Sequence, residues 1–428
     1  MKLQLIVPAM KKGMRKARKT LCPPLAPAVL ASLAPENWQV SITDENVSVI
    51  DYDQDDDIAG ITAITATANR AYEIADEFRS RGVKVVLGGI HPSVMPDEAL
   101  EHADAVVVGE AENLWPQLIK DFEGGVLKRI YRQKERPSLT GLPVPRRDLF
   151  KESTYFFPNT VSTTRGCPFN CSFCSVTLFS GNTYRCRPLA EVIDEVKGLN
   201  AKAPIIFVDD NIVGKSSYAK ELFKALIPLK IKWIGQASVN IARDDELLSL
   251  AAASGCVGLL IGFESLSPAS LVSVGKKINV IEDYERTIKK LHAWKIAIHG
   301  AFIFGLDDDD DEIFNRTVRF ARKMHLESAQ FSIAIPHPGT ALYKSLDDAG
   351  RITSRNWADY NDQVVYAPKT LTAEALNAGM ESSVLSFFSL FSIIQRLGIF
   401  HKNLLIWWFA NISFRSHFRH KWKENGRK

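Results

Sequence analysis

A chain of 428 residues, 46% hydrophobic and 24% charged, has the composition of a soluble globular protein and room for two or three domains that each bury a core. A formal net charge of +4 is too small over this length to argue for a nucleic-acid partner. Six cysteines, three of them clustered, do not read as a disulfide framework, and the N-terminal basic cluster follows rather than precedes a short apolar run, unlike a secretory signal; the expected setting is the cytoplasm.

The first third alternates β-branched runs with helical periodicity. "LQLIVP" (3–8), "WQVSIT" (38–43), "IAGITAIT" (58–65), "VKVVLGG" (83–89) and "ADAVVVG" (103–109) read as strands, with helices over 24–34, 70–81 and 111–122. Near-continuous apolar strands imply a parallel sheet covered on both faces. Residues 1–135 are therefore predicted to form a doubly wound α/β domain, with a ligand at the carboxyl ends of its strands. "RPSLTGLPVPRRDLF" (136–150) holds three prolines and no helical period, so 136–155 reads as a linker.

A second α/β series follows the clustered cysteines. Leu189, Val192, Ile193, Val196 and Leu199 trace one helix face, and another helix lies near 216–227. "PIIFVDD" (204–210), "IKWIGQA" (231–237), "VGLLIGF" (257–263), "IAIHGAFIFG" (296–305) and "AQFSIAI" (329–335) are its strands. Five or six such units fall short of a closed eightfold barrel, which predicts an open, partial (β/α)6 barrel over 156–345. Residues 346–428 lose the alternation and read as a helical extension with an aromatic, basic tail.

"TTRGCPFNCSFCSV" (163–176) places Cys167, Cys171 and Cys174 at spacing C-x3-C-x2-C. A structural zinc site takes four protein ligands, and Cys186 lies outside the usual paired spacing. Three thiolates suit a [4Fe–4S] cluster whose fourth iron stays open, with zinc or incidental thiols as the alternatives. Cys256 reads as a core residue, and Cys22 and Cys186 are uncommitted.

"CPFNCSFC" resembles the cluster motif of radical S-adenosylmethionine enzymes, and the resemblance extends over 160–340. "FVDDN" (207–211) resembles the acidic strand end that binds the methionine amino group. "ASVNIARDDELL" (237–248) and "GFES" (262–265) look like the strands beside the ribose and carboxylate. "GAFIFGLDDD" (300–309) resembles the strand against the adenine, and "IPHPGTALY" (335–343) the closing turn. The resemblance thus implies S-adenosyl-L-methionine as cofactor, held by Asp209, Asp210, Asn240, Glu264 and Gly305. Each has a plainer reading: acids at strand ends cap helices, and Gly300 and Gly305 permit packing. The acidic run Asp307–Asp311 reads as a solvated helix start.

"VVLGGIHPSVMPDEAL" (85–100) and "DAVVVGEAENLWPQLI" (104–119) resemble the cobalamin-binding domains joined to one branch of that superfamily. The "PP" opening the 23–34 helix and "ITDEN" (42–46) fit the same pattern. Gly88, Gly89 and Gly109 would let backbone approach a corrin. The sequence contains no D-x-H-x-x-G, so the resemblance implies cobalamin without the usual axial histidine; His91 reads as a plain loop residue, and the domain as a cofactor-free remnant is the alternative. This domain order matches the class that methylates unactivated carbon or phosphorus. The predicted activity is a cobalamin-dependent methyl transfer to an apolar lipid, tetrapyrrole or secondary metabolite, with an electron donor such as flavodoxin or ferredoxin. Non-methylating cyclase or oxidoreductase chemistry, or a sensing role without turnover, are the competing readings.

The tail "SSVLSFFSLFSIIQRLGIFHKNLLIWWFANISFRSHFRHKWKENGRK" (382–428) is aromatic and then basic. Gln395, Arg396, His401 and Lys402 interrupt its apolar runs, so it lacks the roughly 20 apolar residues of a spanning helix. It reads either as an interfacial helix making peripheral membrane contact or as core packed on the barrel.

Overall fold

The computed structural model of the chain describes residues 1–10, 20–397, 407–408 and 410–416. Strands β1 (Lys2–Val7), β2 (Gln39–Asp44), β3 (Ile58–Thr62), β4 (Lys84–Gly88), β5 (Ala105–Val108) and β6 (Ile130–Arg132) form one parallel sheet in the order β2-β1-β3-β4-β5-β6. The order reverses between β1 and β3, the switch point at which such sheets open a crevice for ligands. Ile58, Val85 and Ala105 are wholly buried because helices cover both faces. Edge strand β6 escapes the sequence reading, since its three residues, Ile130–Arg132, carry no apolar run. The expected helices appear as Leu25–Ser32, Ala68–Ser80 and Trp115–Glu123.

The barrel begins before the cysteines, not after them: β7 (Asn159–Val161) is its first strand. It is short and partly polar, and is fixed by Asn159 Nδ2, which donates to the carbonyls of Asn200 and Ala203 at 2.8 and 3.0 Å. A two-residue antiparallel ribbon, β8 (Thr164–Arg165) with β9 (Arg185–Cys186), brackets the cysteine loop. Strands β10 (Ile205–Phe207), β11 (Trp233–Ala237), β12 (Cys256–Glu264), β13 (Ala297–Phe304) and β14 (Ser328–Ile333) complete a six-stranded parallel sheet in the order β14-β13-β12-β11-β10-β7. With β14 and β7 at opposite edges the barrel stays open, as its unit count implies. Cys256 is core, 6% exposed.

The C-terminal extension packs on the barrel. Helix Ala373–Phe387 lies against β14, and Val384, Phe387, Phe388, Ile393 and Leu397 are buried. At Arg396 the tail follows the second of its two readings, core packed on the barrel. Arg396 is 4% exposed and donates to the carbonyls of Leu326 (2.6 Å), Glu327 (3.0 Å) and Phe387 (3.2 Å) and to Asn411 (2.9 Å), with Phe387's ring beneath it. The acidic run is not all solvated either: Asp309 is buried and accepts from Gly305 N, Leu306 N and Ser270 Oγ, while Asp307 pairs with Arg351. No helix among the described residues is long and apolar enough to cross a membrane. His401, Lys402 and residues 417–428 lie outside the described part.

Candidate functional site

The cysteine loop leaves β8 through Gly166, whose φ of 89° and lack of a side chain are both required: a Cβ there would sit 2.1 Å from Thr183 O. Asp210 Oδ2 accepts the Gly166 N–H at 3.1 Å and so ties the loop to the end of β10. Cys167, Cys171 and Cys174 then line one cavity of 860 Å³ at the mouth of the barrel. Burial, with the neighbouring thiols adding, pushes the Cys171 thiol up to about 11, and burial raises Cys174 as well. Burial thus disfavours the thiolate form of Cys171 and Cys174, and a bound metal would favour it. Of the described cysteines, Cys167, Cys171 and Cys174 border this cavity and Cys186 and Cys256 do not, one short of the four protein ligands of a structural zinc site. Three soft sulfurs on one loop, facing one cavity and without a fourth protein ligand, fit a cluster with an open iron.

The strand ends around the cysteines supply polar groups of both signs. Asn211 Nδ2 lies 4.0 Å from Cys167 Sγ and 3.0 Å from Ser238 Oγ. Glu264 ends β12 at φ 65°, a left-handed conformation costly for a side-chain-bearing residue, next to a register shift in the ladder with β13. Its carboxylate meets Lys276 Nζ at 2.7 Å. Asp210, Asn211, Gln236, Ser238, Glu264 and Lys276 all face the cavity. Such a set suits a zwitterionic amino-acid head group with an attached ribose, which is the polar part of S-adenosylmethionine. Lys276 left no sequence signal, since it returns to Glu264 only through the turn after helix Pro268–Ser273.

Three of the residues singled out by sequence do not line this cavity. Asp209 is 1% exposed and spends its carboxylate on Thr163 and Thr164, accepting from Thr163 N (3.0 Å), Thr163 Oγ1 (2.8 Å), Thr164 Oγ1 (2.5 Å) and Thr164 N. Burial raises its pKa to about 6. Asn240 sits in the turn Val239–Arg243 and accepts from Ser238 Oγ. Gly305, at φ 87°, is closed over by Tyr366 and Leu376.

A second cavity of 320 Å³ opens at the switch point of the first sheet, between β1, β3, β4 and β5 on one side and Thr164, Arg165 and Val176 on the other. Gly88, Gly89 and Gly109 line it. Gly89 and Gly109 have φ of 99° and 98°, and a Cβ would lie 2.7 Å from Ala63 O and 2.3 Å from Gln133 Oε1 respectively. Ile90, Val176 and Asp210 border both cavities, so the two spaces meet. Across that junction Glu110, 3% exposed, joins the first domain to the barrel through Arg165 (2.6 Å) and Arg185 (3.1 Å). The glycine-lined, mostly apolar walls suit the face and edge of a corrin.

His91 is not a loop residue. It belongs to helix Ile90–Val94, is 0% exposed, and turns away from the cavity toward Glu98 (3.3 Å) and the ring of Trp357.

Residues 11–119 match the B12 binding domain family and residues 161–321 the radical SAM superfamily. The chain is 32% identical over 386 residues to the bacteriochlorophyllide d C-12(1)-methyltransferase of Chlorobaculum tepidum, covering 87% of this chain and 84% of that one. It is 37% identical over 361 residues to the C-8(2)-methyltransferase of the same organism, covering 79% of each. The chain belongs to the cobalamin-dependent radical S-adenosylmethionine methyltransferases. Its fold matches TsrM from Kitasatospora setae, a radical S-adenosylmethionine methyltransferase solved with cobalamin and a [4Fe–4S] cluster, with TM-score 0.70 at 16% identity over 98% of this chain and 99% of that one. Methyl transfer thus replaces the non-methylating and sensing readings. The cofactors of this methyltransferase are cobalamin, S-adenosylmethionine and a [4Fe–4S] cluster, which supply the methyl group and the one-electron chemistry when bound.

Proposed function

We propose that this methyltransferase adds a methyl group to a peripheral carbon of a bacteriochlorophyllide-type tetrapyrrole. The observation that carries the reading is the 860 Å³ cavity, which runs from the cysteine loop to the side chains of Met380, Val384 and Phe388, four residues apart on one helix face. That volume is near the top of the roughly 300–1,000 Å³ range of small-molecule sites, and an apolar wall facing a polar one suits a large flat ring with polar edges. The relatives' substrates point the same way.

In this reading Cys167, Cys171 and Cys174 hold the cluster, and Asp210, Glu264 and Lys276 bind the methionine head group. Gly88, Gly89 and Gly109 receive cobalamin, while Asp209, Asn240 and Gly305 stay outside the larger cavity. The junction at Ile90, Val176 and Asp210 is where the substrate carbon meets both cofactors, screened from water by apolar neighbours. A flavodoxin- or ferredoxin-type donor reduces the cluster. Anaerobic incubation of the reconstituted protein with bacteriochlorophyllide d should give a product heavier by one methylene, with S-adenosylhomocysteine and 5′-deoxyadenosine. Deoxyadenosine without a methylated pigment would remove the substrate assignment.

The finer reading of location is peripheral attachment of a cytoplasmic enzyme. Leu390, Phe391 (71% exposed) and Ile394 lie on the outer face of helix Leu390–Leu397, beside Arg322. An apolar face with adjoining cations suits an anionic bilayer. Co-sedimentation with anionic vesicles, lost when Phe391 and Ile394 become Ser, supports it; protein that stays in the supernatant rejects it.

A further inference from the structure

Two glycine turns each serve one of the cavities, and a single carboxylate joins them. Gly109, just after β5, lines the smaller cavity at φ 98°, and Glu110 follows it. Gly166 opens the cysteine loop at φ 89°, and Arg165 precedes it on β8, two residues before Cys167. Both turns are pinned by hydrogen bonds. Gly109 N–H donates to Ser93 Oγ at 2.9 Å, Glu110 N–H to Gln133 Oε1 at 2.7 Å, and Gly166 N–H to Asp210 Oδ2 at 3.1 Å. Between the turns, Arg165 Nη1 donates to Glu110 Oε2 at 2.6 Å.

The ribbon that carries Arg165 needs this carboxylate. Arg165 lies directly opposite Arg185 in the antiparallel pair β8–β9, so both guanidinium groups leave the same face. Like charges at directly opposed positions repel, and two residues per strand offer little to set against that. Glu110 answers both arginines. Its Oε2 also accepts from Arg185 Nη1 at 3.1 Å, and its Oε1 accepts from Arg185 Nη2. Glu112 adds a second carboxylate on Arg165. Two acids of the first domain thus balance two bases of the barrel. The dependence runs both ways, because the Glu110 side chain is 2% exposed and a buried carboxylate without its cations is strongly disfavoured. Glu110, Glu112 and Arg165 also line the smaller cavity, so the pairs are part of its wall.

We propose that Glu110 is a positioning residue that couples the two cofactor sites. A cysteine loop ordered by its cluster holds Arg165 and Arg185 where Glu110 needs them, and Glu110 in turn fixes the Gly109 turn that receives cobalamin. The assignment rests on the placement of cobalamin and cluster given above. Linkage between two binding sites is reciprocal, so the cluster strengthens cobalamin binding by the factor by which cobalamin strengthens the hold on the cluster. For methyl transfer the consequence is one fixed spacing of corrin and cluster across the junction of the cavities.

The test is an absorbance titration of the full-length chain with hydroxocobalamin, with the cluster reconstituted and after its iron is removed anaerobically by a chelator. The wild type should bind cobalamin at least about fivefold more tightly with the cluster, the low end of common coupling factors. Bound cobalamin should also slow the loss of iron to the chelator. Glu110→Gln keeps the shape and removes the charge, and should bind cobalamin equally in both states. Arg165→Gln should do the same, and the double variant should lose no more than either single one. Glu195→Gln disturbs another buried carboxylate, whose partners Arg147 and Arg187 belong to the linker and the barrel; it should lower stability and keep the fivefold difference. Iron content after reconstitution confirms that each variant folds. Equal affinities in the two states of the wild type, a difference that survives Glu110→Gln, or one lost equally in Glu195→Gln overturns the proposal and leaves both cofactor sites standing. Gly88→Phe tests the placement beneath it: a Cβ there meets nothing nearer than Val107 at 3.9 Å, so the ring should fill the smaller cavity and abolish cobalamin binding. Cobalamin held by Gly88→Phe as tightly as by the wild type overturns the corrin placement instead.

Discussion

Replacing Asp209 separates a residue that shapes the cysteine loop from one that touches cofactor. Its carboxylate accepts from two backbone N–H groups and two hydroxyls of Thr163 and Thr164, the residues that lead into the loop. Asp209→Ala leaves two buried N–H groups without an acceptor, at about 1–3 kcal/mol each, so a loss of about 2–6 kcal/mol is expected. Asp209→Asn keeps one acceptor oxygen and removes the charge. A carboxyl raised from 3.8 to about 6 by burial costs about 3 kcal/mol at neutral pH, the shift of roughly two pH units times 1.36. The sign follows: the folded state has its full stability below 3.8 and loses it as pH rises to 6. Asn should therefore match or exceed the wild type at pH 7, by at most about 3 kcal/mol, and lose that advantage below pH 4. Guanidinium unfolding midpoints at the two pH values, with iron content after reconstitution, read this out. His299 acts oppositely: its depressed pKa of about 4 gives stability above 6.5 that is lost as pH falls to 4. Asp209→Asn should thus expose an acid-side decline, and His299→Gln an acid-side gain. The reasoning is refuted if Asp209→Asn leaves the midpoint unchanged at both pH values yet weakens S-adenosylmethionine binding tenfold.

Other substitutions test the remaining parts of the site. Changing any one of Cys167, Cys171 or Cys174 to Ala should abolish the broad iron–sulfur absorption and deoxyadenosine formation while cobalamin still binds; zinc at one equivalent in the anaerobically purified wild type would contradict this. His91→Ala should leave the visible spectrum of bound cobalamin unchanged and lower thermal stability, because the ring packs against Glu98 and Trp357 behind the cavity. A shifted cobalt spectrum would place it at the metal. Arg396→Leu leaves the carbonyls of Leu326 and Phe387 without their donor, while the Glu327 carbonyl keeps Asn411, so a loss of about 2 kcal/mol or more and faster tryptic cleavage after residue 380 are expected. Unchanged cleavage would show that the extension holds by apolar packing alone.

Much of this protein is written locally. Cysteine spacing is a property of eight residues on one loop, β-branched runs of five or more residues declare buried parallel strands, and glycines at φ near 98° mark places where no side chain fits. These features survive without knowledge of what lies next to them, and they carried the fold, the cluster and the cobalamin domain. Asp209 and Asp210 show where such reading stops. They are adjacent and chemically identical, yet one turns inward to Thr163 and Thr164 and the other borders both cavities, a choice made by the exact twist at the end of β10. β6 and β7, three residues each like β10 but without the apolar run that marks β10, show no period and are completed by hydrogen bonds to neighbouring strands. Lys276 reaches Glu264 across a helix and a turn, and Arg396, basic in sequence, is held inside by the Leu326 and Glu327 carbonyls far away along the chain. Charge and hydropathy are carried by each residue, but burial and partnership are made by residues distant in sequence, so the tertiary fold alone decided which polar groups face the chemistry.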